Sequence, residues 1–368
     1  MRDIWSATDS MSTSEVKRVV DDRQHLLRVE IEDYLREQAL ALPQRREQLW
    51  HWDYRSLPAF LDSVRPNRER WQSAVGRFGP AEGRLKVDTA PFLEDDSLSA
   101  TWITLPFLGH YRARAVLALP KRQRPPYPLV VAQHGLGSSP ERVFGFDDPS
   151  NIYKAYGRRL VEAGFAVLAP LNVTDARPRA RLQRLCTLLG GNLAGLEIAR
   201  TARLLDYLET RDDIDAERMG MWGISLGGYY TLFTLPLERR LRAGVITAYF
   251  NSRVHKMAID DPRYSCYLSW DEEHIFVPGW LREFGDSDMA SLICPRPLQV
   301  QMGKGDGIAW WPLAAQEFEA AAEHYRRLGL GERVDLDLHE GGHEIDAEAG
   351  IRFLTRWLVE APVLETFG

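Results

Sequence analysis

The 368-residue chain reads as an α/β protein: a mostly parallel, doubly wound sheet with helices on both faces, preceded by an N-terminal helical segment. Two patterns predict this. From about residue 128 onward, short and almost wholly apolar runs alternate with longer amphipathic stretches, as expected of strands covered on both faces by helices. Upstream, residues 1 to about 80 carry apolar residues at helical spacing with no strand alternation.

The elements follow in order. "SEVKRVVDDRQHLLRVEIEDYLREQAL" predicts a long polar helix, and Trp50, Trp52 and Trp71 after it are suited to anchoring the segment to the main body. "SATWITLPF" and "YRARAVLALP" read as an antiparallel strand pair. "PLVVAQHG" is the first buried parallel strand, followed by helix "IYKAYGRRLVEAG" and strand "FAVLAPLNV". Helix "GLEIARTARLLDYLETR" leads to strand "RMGMWGIS" and helix "LGGYYTLFTLP". Strands "AGVITAYF", "PLQVQMG" and "RVDLDLH" and helices "AAQEFEAAAEHYRRLG" and "GIRFLTRWLVE" complete the alternation. Residues 251–290 break it. They are rich in aromatic and charged residues and read as a lid-like insertion within a main domain of residues 81–368, the accessory segment being 1–80.

With 45% hydrophobic residues the chain can bury one large core, and its net charge of −6 with arginines interspersed among acids gives no basic face for nucleic acid. The opening residues contain no apolar run of signal-peptide type, and no 18-residue apolar segment occurs. Cys186, Cys266 and Cys294 are odd in number and far apart, which predicts buried thiols in a reducing compartment. These features describe a soluble cytoplasmic protein with no nucleic-acid and no membrane partner; a small-molecule ester substrate is expected from the motifs below, and homo-oligomers are compatible with the sequence.

Gly223-Ile224-Ser225-Leu226-Gly227 matches G-x-S-x-G. The letters alone are weak; a buried strand before them and a helix directly after make them specific. Such a turn leaves room only for small residues beside the serine and presents its hydroxyl at the carboxyl end of the sheet. A serine hydroxyl needs a base. Of the late histidines, His324 falls inside a helix and His339 ends a strand. His343 lies beyond Gly341-Gly342 on a loop, so it is the predicted base, with His339 in reserve. Asp306, in "GKGDG" after a strand, is the predicted acid; Asp260 and Asp261 are substitutes, and Glu340 is too close to His343 along the chain. Two main-chain donors complete the machinery, the amides of Leu226 and of Leu136 in "HGLGSS", with His134 orienting that loop. "HEGGH" also spells the H-E-x-x-H zinc motif, but that motif requires a helix, and two central glycines after a period-two run predict a strand and turn. No metal and no cofactor is called for.

On "QHGLGSS", "DDIDAERMGMWGISLGG", "LICPRPLQVQMGKGDG" and "HEGGHE" the chain resembles the α/β-hydrolase superfamily, nearest its dienelactone-hydrolase-like and acetyl-xylan-esterase-like branches, over roughly residues 85–360. The resemblance implies Ser225 as nucleophile, Asp306 as acid, His343 as base and Leu136 and Leu226 as oxyanion donors. It also implies a serine esterase cleaving small-acyl or acetylated carbohydrate esters through an acyl-enzyme. Two features depart from it: a serine stands where many dienelactone hydrolases have cysteine, and "LLGGNLAGLE" lacks the Arg-Gly-Gln signature of cephalosporin-C deacetylases. A peptidase or amidase of the prolyl-oligopeptidase kind and a dienelactone-type lactone hydrolase are the alternatives, although about 80 N-terminal residues are too few for a propeller. In the lid-like insertion Tyr264, Tyr267, Trp270, Phe276 and Trp280 are candidate substrate-binding residues, because aromatic faces suit sugars and acyl chains.

Overall fold

The computed structural model describes Trp5 and residues 11–79 and 85–362; the boundary expected at 80/81, most of the first ten residues and residues 363–368 lie outside them. Nine strands form one sheet: β1 (Asp88–Glu94), β2 (Leu98–Leu108), β3 (Tyr111–Pro120), β4 (Tyr127–Gln133), β5 (Ala166–Pro170), β6 (Ile214–Ile224), β7 (Leu241–Thr247), β8 (Leu298–Gly303) and β9 (Val334–His339). Their order is β1-β2-β3-β5-β4-β6-β7-β8-β9. The first three strands are antiparallel and β3 is antiparallel to β5; every pairing from β5 to β9 is parallel. The helices are α1 (Thr13–Leu40), α2 (Leu42–Arg46), α3 (Leu57–Val75), α4 (Pro140–Val143), α5 (Tyr156–Glu162), α6 (Ala176–Leu188), α7 (Leu193–Leu208), α8 (Leu226–Thr234), α9 (Arg253–Ala258), α10 (Trp280–Glu283), α11 (Asp286–Ile293), α12 (Trp311–Arg327) and α13 (Ala347–Thr355).

Both faces of the sheet are buried, as the continuous apolar runs predict. In β4, Leu129 and Val131 enter a core shared with Leu205 of α7, Phe233 of α8 and Phe318 of α12. The alternate residues Val130 and Ala132 enter a second core with Tyr156 and Leu160 of α5 and Phe353 of α13. Successive side chains of a strand point to opposite faces, so an apolar residue is needed at every position. The three cysteines are free and buried. Among the described residues, no helix is long and apolar enough to cross a membrane.

The N-terminal residues are fastened to this body by the tryptophans. The indole N–H of Trp50 donates to Glu283 O (2.9 Å), that of Trp52 to Ser291 Oγ (3.2 Å) and that of Trp71 to Phe233 O (3.2 Å). Helix α3 shares the main core through Phe60, Val64, Trp71 and Val75, whereas α1 buries only Val19. Several elements depart from the sequence reading, strand β1 and the short helix α4 among them. Helix α6 has no counterpart in it: its Pro178 lies in the first turn, where proline is tolerated, but its arginine-rich, low-apolar composition hides the helical stripe. The helix expected from Ile152 begins only at Tyr156, because Asn151, Lys154 and Ala155 adopt positive φ.

Candidate active site

Ser225 sits between β6 and α8 with φ 58° and ψ −118°, a conformation that costs a non-glycine residue about 1–3 kcal/mol. It is held there by Ser225 N–H donating to Thr247 O (2.9 Å) and by Tyr229 N–H donating to Ser225 O (2.9 Å). The flanking glycines are steric requirements. A Cβ on Gly223 would stand 2.2 Å from Gly227 O, and one on Gly227 would stand 2.1 Å from Gln133 O. No side chain fits at either place, so strand, turn and helix close around the serine.

Beyond β7, the parallel strands β8 and β9 deliver the other two groups at the same edge of the sheet. Asp306 follows β8, with its side chain fully buried. Its Oδ1 accepts the N–H of Ile308 (2.9 Å) and its Oδ2 pairs with Nδ1 of His343 at 2.8 Å. If Nδ1 carries the proton, as donation to a carboxylate requires, Nε2 is a free acceptor, and no described residue binds it. The glycines of "HEGGH" bring the two loops together: Gly305 N–H donates to Gly341 O (2.9 Å), and a Cβ on Gly303 would lie 2.0 Å from Gly342 O. The stretch is therefore strand end and turn, as its period-two pattern predicts. His339 is engaged in that turn, its Nδ1 accepting Gly341 N–H at 3.2 Å. Asp260 pairs with Arg36 and Asp261 with Arg263, so neither substitute acid meets His343. Among the described residues no group of three or more His, Cys, Asp or Glu side chains is placed to hold a metal ion.

The loop after β4 reaches Ser225 closely: a Cβ on Gly135 would be 3.3 Å from the serine Cβ. His134 fixes this loop from within, Nδ1 donating to Gly135 O (3.2 Å) and Nε2 accepting Asn172 N–H (3.4 Å). Burial pushes its pKa down to about 4, which keeps the ring neutral and able to do both. The main-chain N–H groups of Leu136 and Leu226 have no partner among the described residues.

Ser225, Leu136 and Leu226 line a cavity of about 210 Å³, together with Asn251, Lys256, Ser265, Tyr267, Trp270, Glu272 and Ile308. Of the five aromatic candidates, Tyr267 and Trp270 face it, and Tyr264 lines an adjoining hollow with Ser265, Trp270 and Ile308. Phe276 and Trp280 lie elsewhere, in an apolar groove against α1, and Trp280 is packed on Phe233 and Trp71 with ring centroids 4.8 and 5.1 Å away. Substrate binding at this cavity by these two residues is corrected accordingly: the segment turns them toward the N-terminal helices. The sequence reading missed Asn251, Lys256, Ser265 and Glu272. Nothing in "NSRVHKMAID" marks Lys256 as buried, yet it is 5% exposed and burial pushes its pKa down to about 8. Burial raises the pKa of Glu272.

No protein-family model matches the chain. In sequence it is similar to "Putative hydrolase YtaP" of Bacillus subtilis (strain 168), 24% identical over 292 residues that span 76% of this chain and 95% of that protein. In structure it is similar to a "putative acetyl xylan esterase" from Bacteroides fragilis NCTC 9343 (TM-score 0.63, 15% identity, 78% of each chain). It is also similar to a CE15 glucuronoyl esterase from Teredinibacter turnerae (TM-score 0.60, 16% identity, 84% of this chain and 90% of that one). The fold is that of the α/β-hydrolases, with a serine at the sharp turn after the central strand β6.

Proposed function

We propose that the protein is a serine hydrolase that cleaves carboxylic esters through an acyl-enzyme. The observation that carries this reading is the Asp306–His343 pair at 2.8 Å on the loops after β8 and β9, at the same edge of the parallel sheet as Ser225 in its strained turn after β6. In this reading His343 Nε2 takes the proton as Ser225 Oγ attacks the carbonyl carbon. Asp306 holds the imidazole tautomer and stabilises its charge. The N–H groups of Leu136 and Leu226 receive the developing oxyanion. His343 then protonates the leaving alcohol, and a water molecule, activated by the same ring, releases the acid.

The small cavity supports a small acyl group, since drug-sized ligands occupy about 300–1,000 Å³. Tyr267 and Trp270 supply ring faces, and Asn251 and Glu272 supply donors and acceptors, a combination suited to an acylated carbohydrate. The structural neighbours, named as esterases, support the same reading. The test is a rate panel of nitrophenyl esters from acetate to decanoate, run beside acetylated sugars, a dienelactone and an aminoacyl anilide, with fluorophosphonate labelling of the wild type and Ser225→Ala. Fastest turnover of short esters, and labelling only of the wild type, is expected. Preference for the anilide, or equal labelling of both proteins, would overturn the reading.

A further inference from the structure

We infer that Lys256 is a positioning residue for the hydrolytic site, tying the 251–290 segment to the loop that aims Asp306 at His343; this rests on the reading of Ser225, His343 and Asp306 given above. The connection runs through Ile308. Its N–H donates to Asp306 Oδ1 (2.9 Å), so the orientation of that peptide is coupled to the orientation of the carboxylate. Its carbonyl accepts from Lys256 Nζ (2.6 Å), Ser265 N–H (3.1 Å) and Ser265 Oγ (3.3 Å). Lys256 Nζ also donates to Ser265 Oγ at 2.7 Å. All the donors to this carbonyl thus come from the 251–290 segment, and one of them is a buried cation.

The geometry explains an otherwise costly placement. An ammonium loses hydration on burial, and it is retained where charge-assisted hydrogen bonds replace the lost water. Two of the three N–H bonds of Lys256 are spent on the Ile308 carbonyl and the Ser265 hydroxyl, and the cation lies 5.0 Å from the centre of the Tyr267 ring. The other charged and titratable groups facing it are Arg253 on its own helix, Asp306 in the acid loop, and Glu272 and Cys266 in the segment. Arg253 is itself bound to Asp286, so it is not available to replace Lys256 at the Ile308 carbonyl. Within the loop from Gly303 to Ala309, Gly303 and Gly305 are held against Gly341 and Gly342, whereas a Cβ on Gly307 would have nothing within 4 Å, so the Ile308 end lacks such restraint. A buried side chain on a neighbouring helix supplies what the loop lacks.

The experiment uses the full chain and the variants Lys256→Met and Ser265→Ala, with melting temperatures recorded to exclude unfolded protein. Steady-state kinetics are measured on 4-nitrophenyl acetate and on the 4-nitrophenyl monoester of succinate, from pH 6 to 9.5. The downfield proton resonance of the His343 Nδ1–H, identified by its absence in His343→Ala, reports the Asp306–His343 pair whatever the activity. Lys256→Met should lower kcat about 10- to 100-fold, the equivalent of one hydrogen bond to a charged group, for both esters alike and with KM little changed. The downfield proton should weaken or shift. Ser265→Ala should move both readouts the same way by less. In the wild type kcat should fall as pH rises through about 8, where Lys256 loses its proton, and the fall should be absent in Lys256→Met. Unchanged kcat with an unchanged downfield proton would overturn the inference. So would a rise in KM confined to the anionic ester, which would make Lys256 a group that touches substrate. If instead the wild type lacked esterase activity while the proton responded to Lys256→Met, the esterase reading would fail and the coupling would stand.

Discussion

One side of the 251–290 segment, carrying Lys256, Tyr267 and Trp270, lines the cavity at Ser225, whereas the other, carrying Met257, Leu268 and Phe276, lines a groove of about 790 Å³ against α1. Neighbours in sequence thus go to opposite sides: Lys256 and Met257, Tyr267 and Leu268. The cavity side is mixed in polarity, with a buried lysine and a glutamate whose pKa is raised by burial. The groove side is almost wholly apolar at its centre, with Arg28, Arg36 and Arg282 at its edges already paired to Glu32, Asp260 and Glu283. The difference teaches that aromatic content alone does not mark a substrate site. Trp270 and Trp280 are ten residues apart in one insertion, yet Trp270 is 55% exposed at the cavity and Trp280 is 2% exposed in the core.

The sharpest contrast lies between the proposed reacting groups and everything in the segment. Ser225→Ala and Asp306→Asn should each lower kcat by about 10⁴-fold or more while the melting temperature stays close to the wild-type value, read from nitrophenyl acetate hydrolysis and a thermal melt. Retained turnover in either would separate the chemistry from this cavity.

Trp280→Ala should give the opposite pair of results. It removes a fully enclosed ring that touches Trp71, Phe233 and Phe284, so a stability loss of about 3–5 kcal/mol in chemical denaturation is expected, with the ranking of esters preserved. A changed ranking with little loss of stability would move the substrate site toward α1.

Acid should loosen the attachment of the N-terminal residues. His324 is buried beside Trp52 and accepts the Tyr54 hydroxyl at 2.7 Å, and burial pushes its pKa down to about 4. The folded state therefore favours the neutral ring, while the unfolded chain protonates it near pH 6.5. Its contribution is complete above that value and is lost as pH falls toward 4, amounting to about 2 kcal/mol by pH 5. Denaturation at pH 7 and pH 5 should show a shallower pH slope for His324→Gln, with His134 supplying part of what remains. An identical slope in both proteins would mean that His324 is not held neutral.

Trp270→Ala should have the smallest effect. Stability should change by less than about 1 kcal/mol, because the ring is largely exposed, while the relative rates on acetylated sugars and nitrophenyl acetate should shift several-fold. Phe276→Ala should leave those relative rates alone. If Phe276 shifted them and Trp270 did not, the two sides of the segment would have to be exchanged.

Much of this was legible in the sequence because it is local. The continuous apolar runs of β4, β5 and β7 require cover on both faces, and the glycines at 223 and 227 require a turn with no room for side chains. The Gly341-Gly342 pair breaks any helix through "HEGGH", and this separates His343 from the strand that ends at His339. Those are constraints of backbone sterics and side-chain period, which act within a few residues. What the tertiary structure alone decided is non-local. The hydrogen bond between Asp306 and His343 spans 37 positions and depends on how two glycine loops meet. The burial of Lys256, the choice between Trp270 and Trp280, and the reach of Ile308 to both the lysine and the aspartate depend on where a segment with no regular period comes to rest. A lysine or tryptophan carries no mark of its own burial. Only packing against elements brought from elsewhere in the chain sets its solvation, and with it its chemistry.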